Sequence, residues 1–100
     1  PAQRPGQELS TMLVLPTELT HRQASACLQM LVQGLRSEAG ADVVADASAL
    51  TVFDSSALAV LLACRRACEA QAKTFSIKGM NTRLQGLSVL YGVDVLLPGT

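Results

Sequence analysis

Short apolar runs alternate with helical patterns along most of the chain, and this alternation restricts the possible folds more than any other sequence feature. Runs at residues 9–15, 43–50 and 74–78 are typical of strands, and a last strand is predicted at residues 93–97. Helical periodicity fills the stretches between them. The order β-α-β-α-β-α-β predicts an α/β fold in which crossover helices pack on a sheet.

Each predicted helix begins at residues that can cap it. Thr20 and Gln23 have the spacing of a capping box. The segment Asp54-Ser55-Ser56 precedes a second helix over about residues 55–72, and any of its three side chains can accept bonds from the first turn. Asn81 caps the third helix. That helix carries the apolar residues Leu84, Leu87, Leu90 and Tyr91 and ends at Gly92.

The size and apolar content of the chain suit one packed domain. The chain has 100 residues, of which 49% are hydrophobic. Residues 1–8 are polar with two prolines and are predicted to be a flexible lead-in, so the domain is expected over residues 9–100. The longest apolar run, residues 57–64, is far shorter than the roughly 20 residues that span a bilayer. A cytoplasmic domain that does not itself span a membrane is expected.

Charge and aromatic content argue against nucleic-acid binding. Eight basic and eight acidic residues give a formal net charge of zero, and only 3% of residues are aromatic. Binding to phosphates needs a basic face, and binding to single strands needs aromatic platforms. Neither is visible in this sequence.

The residues that usually carry catalysis or hold cofactors are scarce. The chain has neither a phosphate-binding GxxxxGK[ST] loop nor a GxGxxG fingerprint, and its one histidine, His21, is predicted to be an exposed residue at a helix start. A metal site would need His21 together with Cys27, Cys64 and Cys68, and the simpler interpretation makes the cysteines small core residues. No catalytic residue, cofactor or metal is therefore predicted.

The start of the second helix is the one segment that suggests a function. A phosphate on Ser55 would be stabilised by the positive end of the helix dipole and opposed by the adjacent Asp54, whereas plain N-capping would explain the serines without any function. Leu58 and Leu62 follow on the same helix. They belong either to a wide buried face or to a partly exposed apolar patch for a partner protein, rimmed by Arg65 and Arg66.

The string VVADASALTVFDSSALAVLL, residues 43–62, closely resembles the signature of STAS domains, the family of anti-sigma-factor antagonists. The resemblance covers about residues 9–97 and implies a single STAS domain. In such a domain strands and helices alternate, and the helices pack on a four-to-five-stranded mixed sheet. Thr17 and Ala57 depart from the family pattern, which usually has glycine at both places. The matching positions are filled here by Asp46, Ser48, Asp54, Ser55 and Leu58.

Within that family the chain is most similar to the MlaB type, the small STAS subunit of the Mla phospholipid ABC transporter. The similarity lies in the compact length, the Ala-rich second helix and the tail at residues 90–98. It implies a non-enzymatic subunit that binds the transporter's ATPase, in a complex with the permease, at the cytoplasmic side of the inner membrane. The partner-binding residues would be Ser55, Ser56, Leu58 and Leu62.

Two other functions stay open. As an anti-sigma-factor antagonist, the chain would be switched when an anti-sigma kinase phosphorylates Ser55. As a ligand-binding domain, it would hold a small molecule such as a nucleotide in a groove near Asp54, although nothing in the sequence specifies a ligand.

Overall fold

The structure is a computed structural model that describes residues 10–37 and 40–99. The lead-in predicted at residues 1–8 lies outside the described residues. In chain order the elements are β1 (Ser10–Val14), β2 (Glu18–Leu19), α1 (Ala24–Ser37), β3 (Asp42–Asp46), β4 (Val52–Phe53), α2 (Ser56–Ala70), β5 (Thr74–Lys78), α3 (Thr82–Leu90) and a 3₁₀ helix (Asp94–Leu96).

The five strands form two separate groups. The larger sheet has the order β1-β3-β5, and Val44 at its centre lies opposite Met12 on one side and Ser76 on the other. The strands β2 and β4 form a two-residue pair in which Glu18 lies opposite Val52. The expected single α/β domain of four to five strands is therefore present. A mixed sheet was expected, whereas every pairing among the described strands is parallel.

Helices α1 and α2 pack together and cover one face of the larger sheet. Leu13 of β1 lies so close to α1 that a Cβ added to Gly34 would be 3.1 Å from its Cδ2 atom. On the same face Val43 and Ile77 are fully buried, whereas Met12 on the opposite face is half exposed. This alternation is what a sheet with one covered face produces.

Two of the predicted helix caps are confirmed. The side-chain Oε1 of Gln23 accepts a hydrogen bond from the Thr20 backbone N–H at 2.9 Å, just before α1 begins. The Oδ1 atom of Asn81 accepts one from the Leu84 N–H at 2.8 Å and so caps α3. Both caps satisfy backbone groups that would otherwise lack a partner at a helix or turn start.

All three cysteines are core residues between α1, α2 and the sheet. Cys27, Cys64 and Cys68 are buried and form no disulfide. Burial raises the pKa of all three thiols, and for Cys64, which lies next to Cys68, it raises the pKa to about 12. Among the described side chains, no group of three potential ligands is placed to hold a metal ion.

The prediction of a last strand at residues 93–97 is wrong. After Gly92, whose φ is 71°, the chain forms the 3₁₀ helix Asp94–Leu96, which leaves Val95 exposed. Only then does the tail reach the edge of β5, where the Ile77 N–H donates to the Pro98 carbonyl at 2.8 Å. A short apolar run is compatible with either conformation, so the pattern alone does not distinguish a strand from a 3₁₀ helix.

Gly79 ends β5 in a place that no other residue fits. Its φ is 72°, and a Cβ atom there would lie 3.0 Å from both the Cβ and the backbone nitrogen of Ser48. The close approach joins the end of β5 to the turn after β3. A side chain would therefore meet backbone strain and a steric clash at once.

We expect Gly79→Ala to lower the free energy of unfolding by at least about 2 kcal/mol, because the left-handed conformation and the clash add. Urea unfolding followed by circular dichroism measures the change. Gly86→Ala is the matched control, since a Cβ at this α3 position meets nothing within 4 Å. That control should be neutral or more stable by up to about 1 kcal/mol. Equal midpoints for the two variants would contradict the assignment.

Candidate partner-binding site

Asp54, rather than a serine, caps helix α2. Its Oδ1 atom accepts a hydrogen bond from the Ser56 backbone N–H at 2.8 Å. Ser55 already has helical backbone angles, with φ −63° and ψ −14°, and its side chain makes no capping bond. The interpretation that capping explains Ser55 is therefore wrong, and its exposed hydroxyl has no structural task in the described residues.

The same carboxylate ties α2 to the turn before α1. The Oδ2 atom of Asp54 accepts a hydrogen bond from the His21 backbone N–H at 3.2 Å and lies 3.4 Å from the His21 Nδ1 atom. The bond from the Ser56 N–H is the main reason why the pKa of Asp54 is lowered; partial desolvation opposes it, and the His21 N–H lowers the pKa further. His21 is exposed, as the sequence predicts.

We expect Asp54→Asn to destabilise the protein at neutral pH and to have little effect in acid. The folded-state pKa of Asp54 is lowered, so its ionised form stabilises the fold above the unfolded-state pKa of about 3.9. That contribution is lost as the pH falls through the lower folded-state pKa. Urea midpoints of wild type and Asp54→Asn, measured from pH 7 to pH 3, should converge at the acidic end. A constant difference would show that the charge does not matter.

The residues Asp46 and Ser48, which carry part of the family resemblance, have a structural role. Asp46 accepts hydrogen bonds from both the backbone N–H, at 3.0 Å, and the hydroxyl of Ser48. The hydroxyl bond is the larger cause of the lowered pKa of Asp46. This closed turn is the one against which Gly79 packs. It fixes the end of β3 and so the path of the chain toward the site.

The four predicted contact residues do not share one surface. Ser55 is exposed and Ser56 is half-buried. Leu58 is only 3% exposed and belongs to the core, so its assignment to a surface patch is wrong. Leu62 is half-buried and packs against the same core. Helix α2 thus has the wide buried face that was the alternative interpretation.

An open groove of about 510 Å³ runs from the start of α2 to the end of α3. The start of α2 contributes Ser55 to its lining, and the end of α3 contributes Leu90 and Tyr91, which are 78% and 57% exposed. The residues that line the groove are Phe53, Asp54, Ser55, Arg83, Gly86, Leu87, Leu90 and Tyr91.

The sequence predictions place none of Phe53, Arg83, Leu90 and Tyr91 in a site, and they assign Leu90 and Tyr91 to the apolar residues of the third helix. For Leu90 and Tyr91 a signal was present. Val89, Leu90 and Tyr91 are consecutive, and three consecutive residues at a helix end point in directions about 100° apart. They cannot all face the core, and in the structure all three are exposed.

Arg83 is fixed on the wall of the groove by two contacts. Its guanidinium carbon lies 4.6 Å from the centre of the Phe53 ring, and its Nη1 atom donates to the Thr51 carbonyl at 3.3 Å. An arginine stacked on an aromatic ring loses part of its freedom before any partner arrives. The groove therefore presents a positioned positive charge, and the exposed serine and the apolar end of α3 belong to the same lining.

A parallel α/β domain with an exposed serine at a helix start, beside an apolar groove, has the features of a protein-interaction domain. The chain belongs to the STAS domain family: a family model described as "Mlab, STAS domain" matches residues 3–98. None of the described helices is long and apolar enough to cross a membrane.

Solved structures with the same fold include both signalling and transport proteins. The Bacillus anti-sigma factor antagonist SpoIIAA in its unphosphorylated form superposes with a TM-score of 0.73 at 16% identity, covering 93% of this chain and 81% of SpoIIAA. Its phosphorylated form gives a TM-score of 0.67 at 16% identity, with 93% and 84% covered. A sulfate transporter family protein from Wolinella succinogenes gives 0.71 at 15% identity, with 88% and 70% covered. No curated protein sequence matches the chain.

Proposed function

We propose that this chain is a non-enzymatic accessory subunit that binds the ATPase of an ABC transporter for phospholipids. The observation that carries the proposal is the free, exposed Ser55 hydroxyl beside the groove that ends at Leu90 and Tyr91. Such a surface is better suited to binding a partner protein than to catalysing a reaction, because it is open and partly apolar. The match to a family model described as "Mlab" supports the transporter as the setting.

The mechanism requires only binding. The start of α2 and the groove contact the ATPase only in the complex. The free energy of these contacts therefore favours the assembled transporter over its separate subunits. Ser55 lies at the rim and Ser56 next to it, whereas Leu58 and Leu62 hold α2 on the core from beneath. The subunit would act in the cytoplasm, peripheral to the inner membrane through its partner. Its complex would serve phospholipid trafficking, outer-membrane lipid asymmetry and solvent tolerance.

The alternative is an anti-sigma-factor antagonist switched at Ser55. The observation that favours it is again the serine: its hydroxyl is exposed and uncapped at a helix start, where a phosphate is stabilised by the helix dipole. The fold similarity to SpoIIAA, which is known in a phosphorylated form, agrees with this. A phosphate would add a charge of about −1.5 to −2 and repel a partner that tolerates serine.

Affinity purification from the native organism, read by mass spectrometry, tests the proposal. The tagged wild-type chain should recover an ABC ATPase together with its permease. A tagged Leu84→Ala chain, whose core we expect to be weakened, serves as the control for proteins that bind unfolded bait. Recovery of a small histidine-kinase-like protein, with phosphate on Ser55 that is absent from Ser55→Ala, would replace the proposal by the alternative.

A further inference from the structure

The end of α3 gives the groove an exposed apolar surface that a partner protein can bury. Leu90 is 78% exposed at the last residue of α3, and Tyr91 follows it. Leu87, which also lines the groove, is half-buried and packs against the core. Covering these side chains removes apolar surface from water, which is the main source of affinity at protein interfaces.

The guanidinium of Arg83 has no carboxylate partner among the described residues, although Asp54 also lines the groove. No carboxylate of the described residues lies within 4 Å of the Arg83 guanidinium, whose polar contact is the neutral Thr51 carbonyl. Asp54, the acidic residue that lines the groove, is engaged with the Ser56 and His21 backbone N–H groups. The groove therefore offers an arginine with free donors next to an apolar rim.

From this complementarity we infer that the groove binds an acidic, amphipathic segment of the partner protein. An Asp or Glu of that segment pairs with Arg83, and an aliphatic or aromatic side chain packs between Leu90 and Tyr91. Arg83 is suited to this role because stacking on Phe53 holds the guanidinium plane, and a held plane binds a carboxylate through two parallel hydrogen bonds. This inference rests on the proposed function and specifies what the ATPase must present.

The test measures the dissociation constant of the purified ATPase by isothermal titration calorimetry. Arg83→Glu should weaken binding at least about 10-fold, because it puts a carboxylate opposite a carboxylate. Arg66→Glu is the matched control: Arg66 is exposed on α2, ten residues beyond the start of the helix, and does not line the groove. It carries the same change in net charge and should alter the constant less than about threefold.

Two further variants separate the parts of the inference. Arg83→Lys keeps the charge but loses the planar, stacked geometry, so its binding should fall between that of wild type and that of Arg83→Glu. Leu90→Gln, which adds no charge, should weaken binding with little change in the urea midpoint, since Leu90 is mostly exposed. Replacing the partner's acidic residue by Arg should restore binding to Arg83→Glu alone.

The possible failures can be told apart. If the wild-type chain does not bind the ATPase, the proposed function fails, and this inference fails with it. If the wild-type chain binds but Arg83→Glu weakens binding no more than Arg66→Glu, the proposed function stands and the acidic partner segment is ruled out. If Arg83→Glu weakens binding and Leu90→Gln does not, the apolar part of the inference is wrong.

Discussion

Ser55→Glu should weaken binding to the ATPase by about 10- to 100-fold and leave the stability of the fold intact. The hydroxyl makes no capping bond, so its replacement removes no contact that holds α2. A carboxylate at a helix start is stabilising by about 0.3–1 kcal/mol in isolation, although here Asp54 is its neighbour. In the complex, however, that charge has to be desolvated beside the carboxylate of Asp54. Calorimetric titration gives the affinity, and urea unfolding gives the stability.

The control for this prediction adds the same charge elsewhere. Gln33 is exposed on α1 and does not line the groove, so Gln33→Glu should bind as the wild type does. Equal affinities for Ser55→Glu and wild type would remove Ser55 from the interface. A lower urea midpoint for Ser55→Glu would instead mean that the serine stabilises α2 in a way that its geometry does not reveal.

Leu84→Ala should be the most destabilising of the substitutions considered, with a loss of about 3–4 kcal/mol. Leu84 is fully buried in the first turn of α3, and its truncation leaves a cavity between that helix and the core. Leu90→Ala is the same change six residues later in the same helix. Because Leu90 is mostly exposed, that variant should stay within about 0.5 kcal/mol of the wild type.

Differential scanning calorimetry or urea unfolding of the two variants measures the contrast. A small effect of Leu84→Ala would mean that α3 is not part of the cooperative core. A large effect of Leu90→Ala would place its side chain in the core and contradict its assignment to the groove. The pair therefore tests the position of α3 independently of any partner.

Local patterns in the sequence predict the three helices and the three strands of the larger sheet, because each pattern needs only neighbouring residues, but they miss the two-residue strands β2 and β4. The capping residues Gln23 and Asn81 lie where the sequence places them, since a cap is defined within four positions. The cysteines of α2 are buried because their spacing repeats with the helix turn. These features could be predicted from the chain alone.

The site depends on distant contacts that no local pattern contains. His21 lies next to the carboxylate of Asp54 across 33 positions, and Arg83 of α3 stacks on Phe53 of the strand β4. The exposure of Leu58 could not be predicted either, because it depends on how many elements surround α2. Only Val89, Leu90 and Tyr91 carried a usable signal, as a helix end that is apolar on all sides.

The burial of the three thiols determines how long the protein keeps them reduced. Cys27, Cys64 and Cys68 are buried, so an oxidant or an alkylating reagent does not reach their sulfur atoms in the folded protein. Burial also raises the pKa of the thiols and so keeps them protonated. Reagents reach them only during the moments when α1 and α2 separate. The lifetime of the reduced protein in air is therefore set by the frequency with which the fold opens, and the intrinsic reactivity of the sulfurs contributes little.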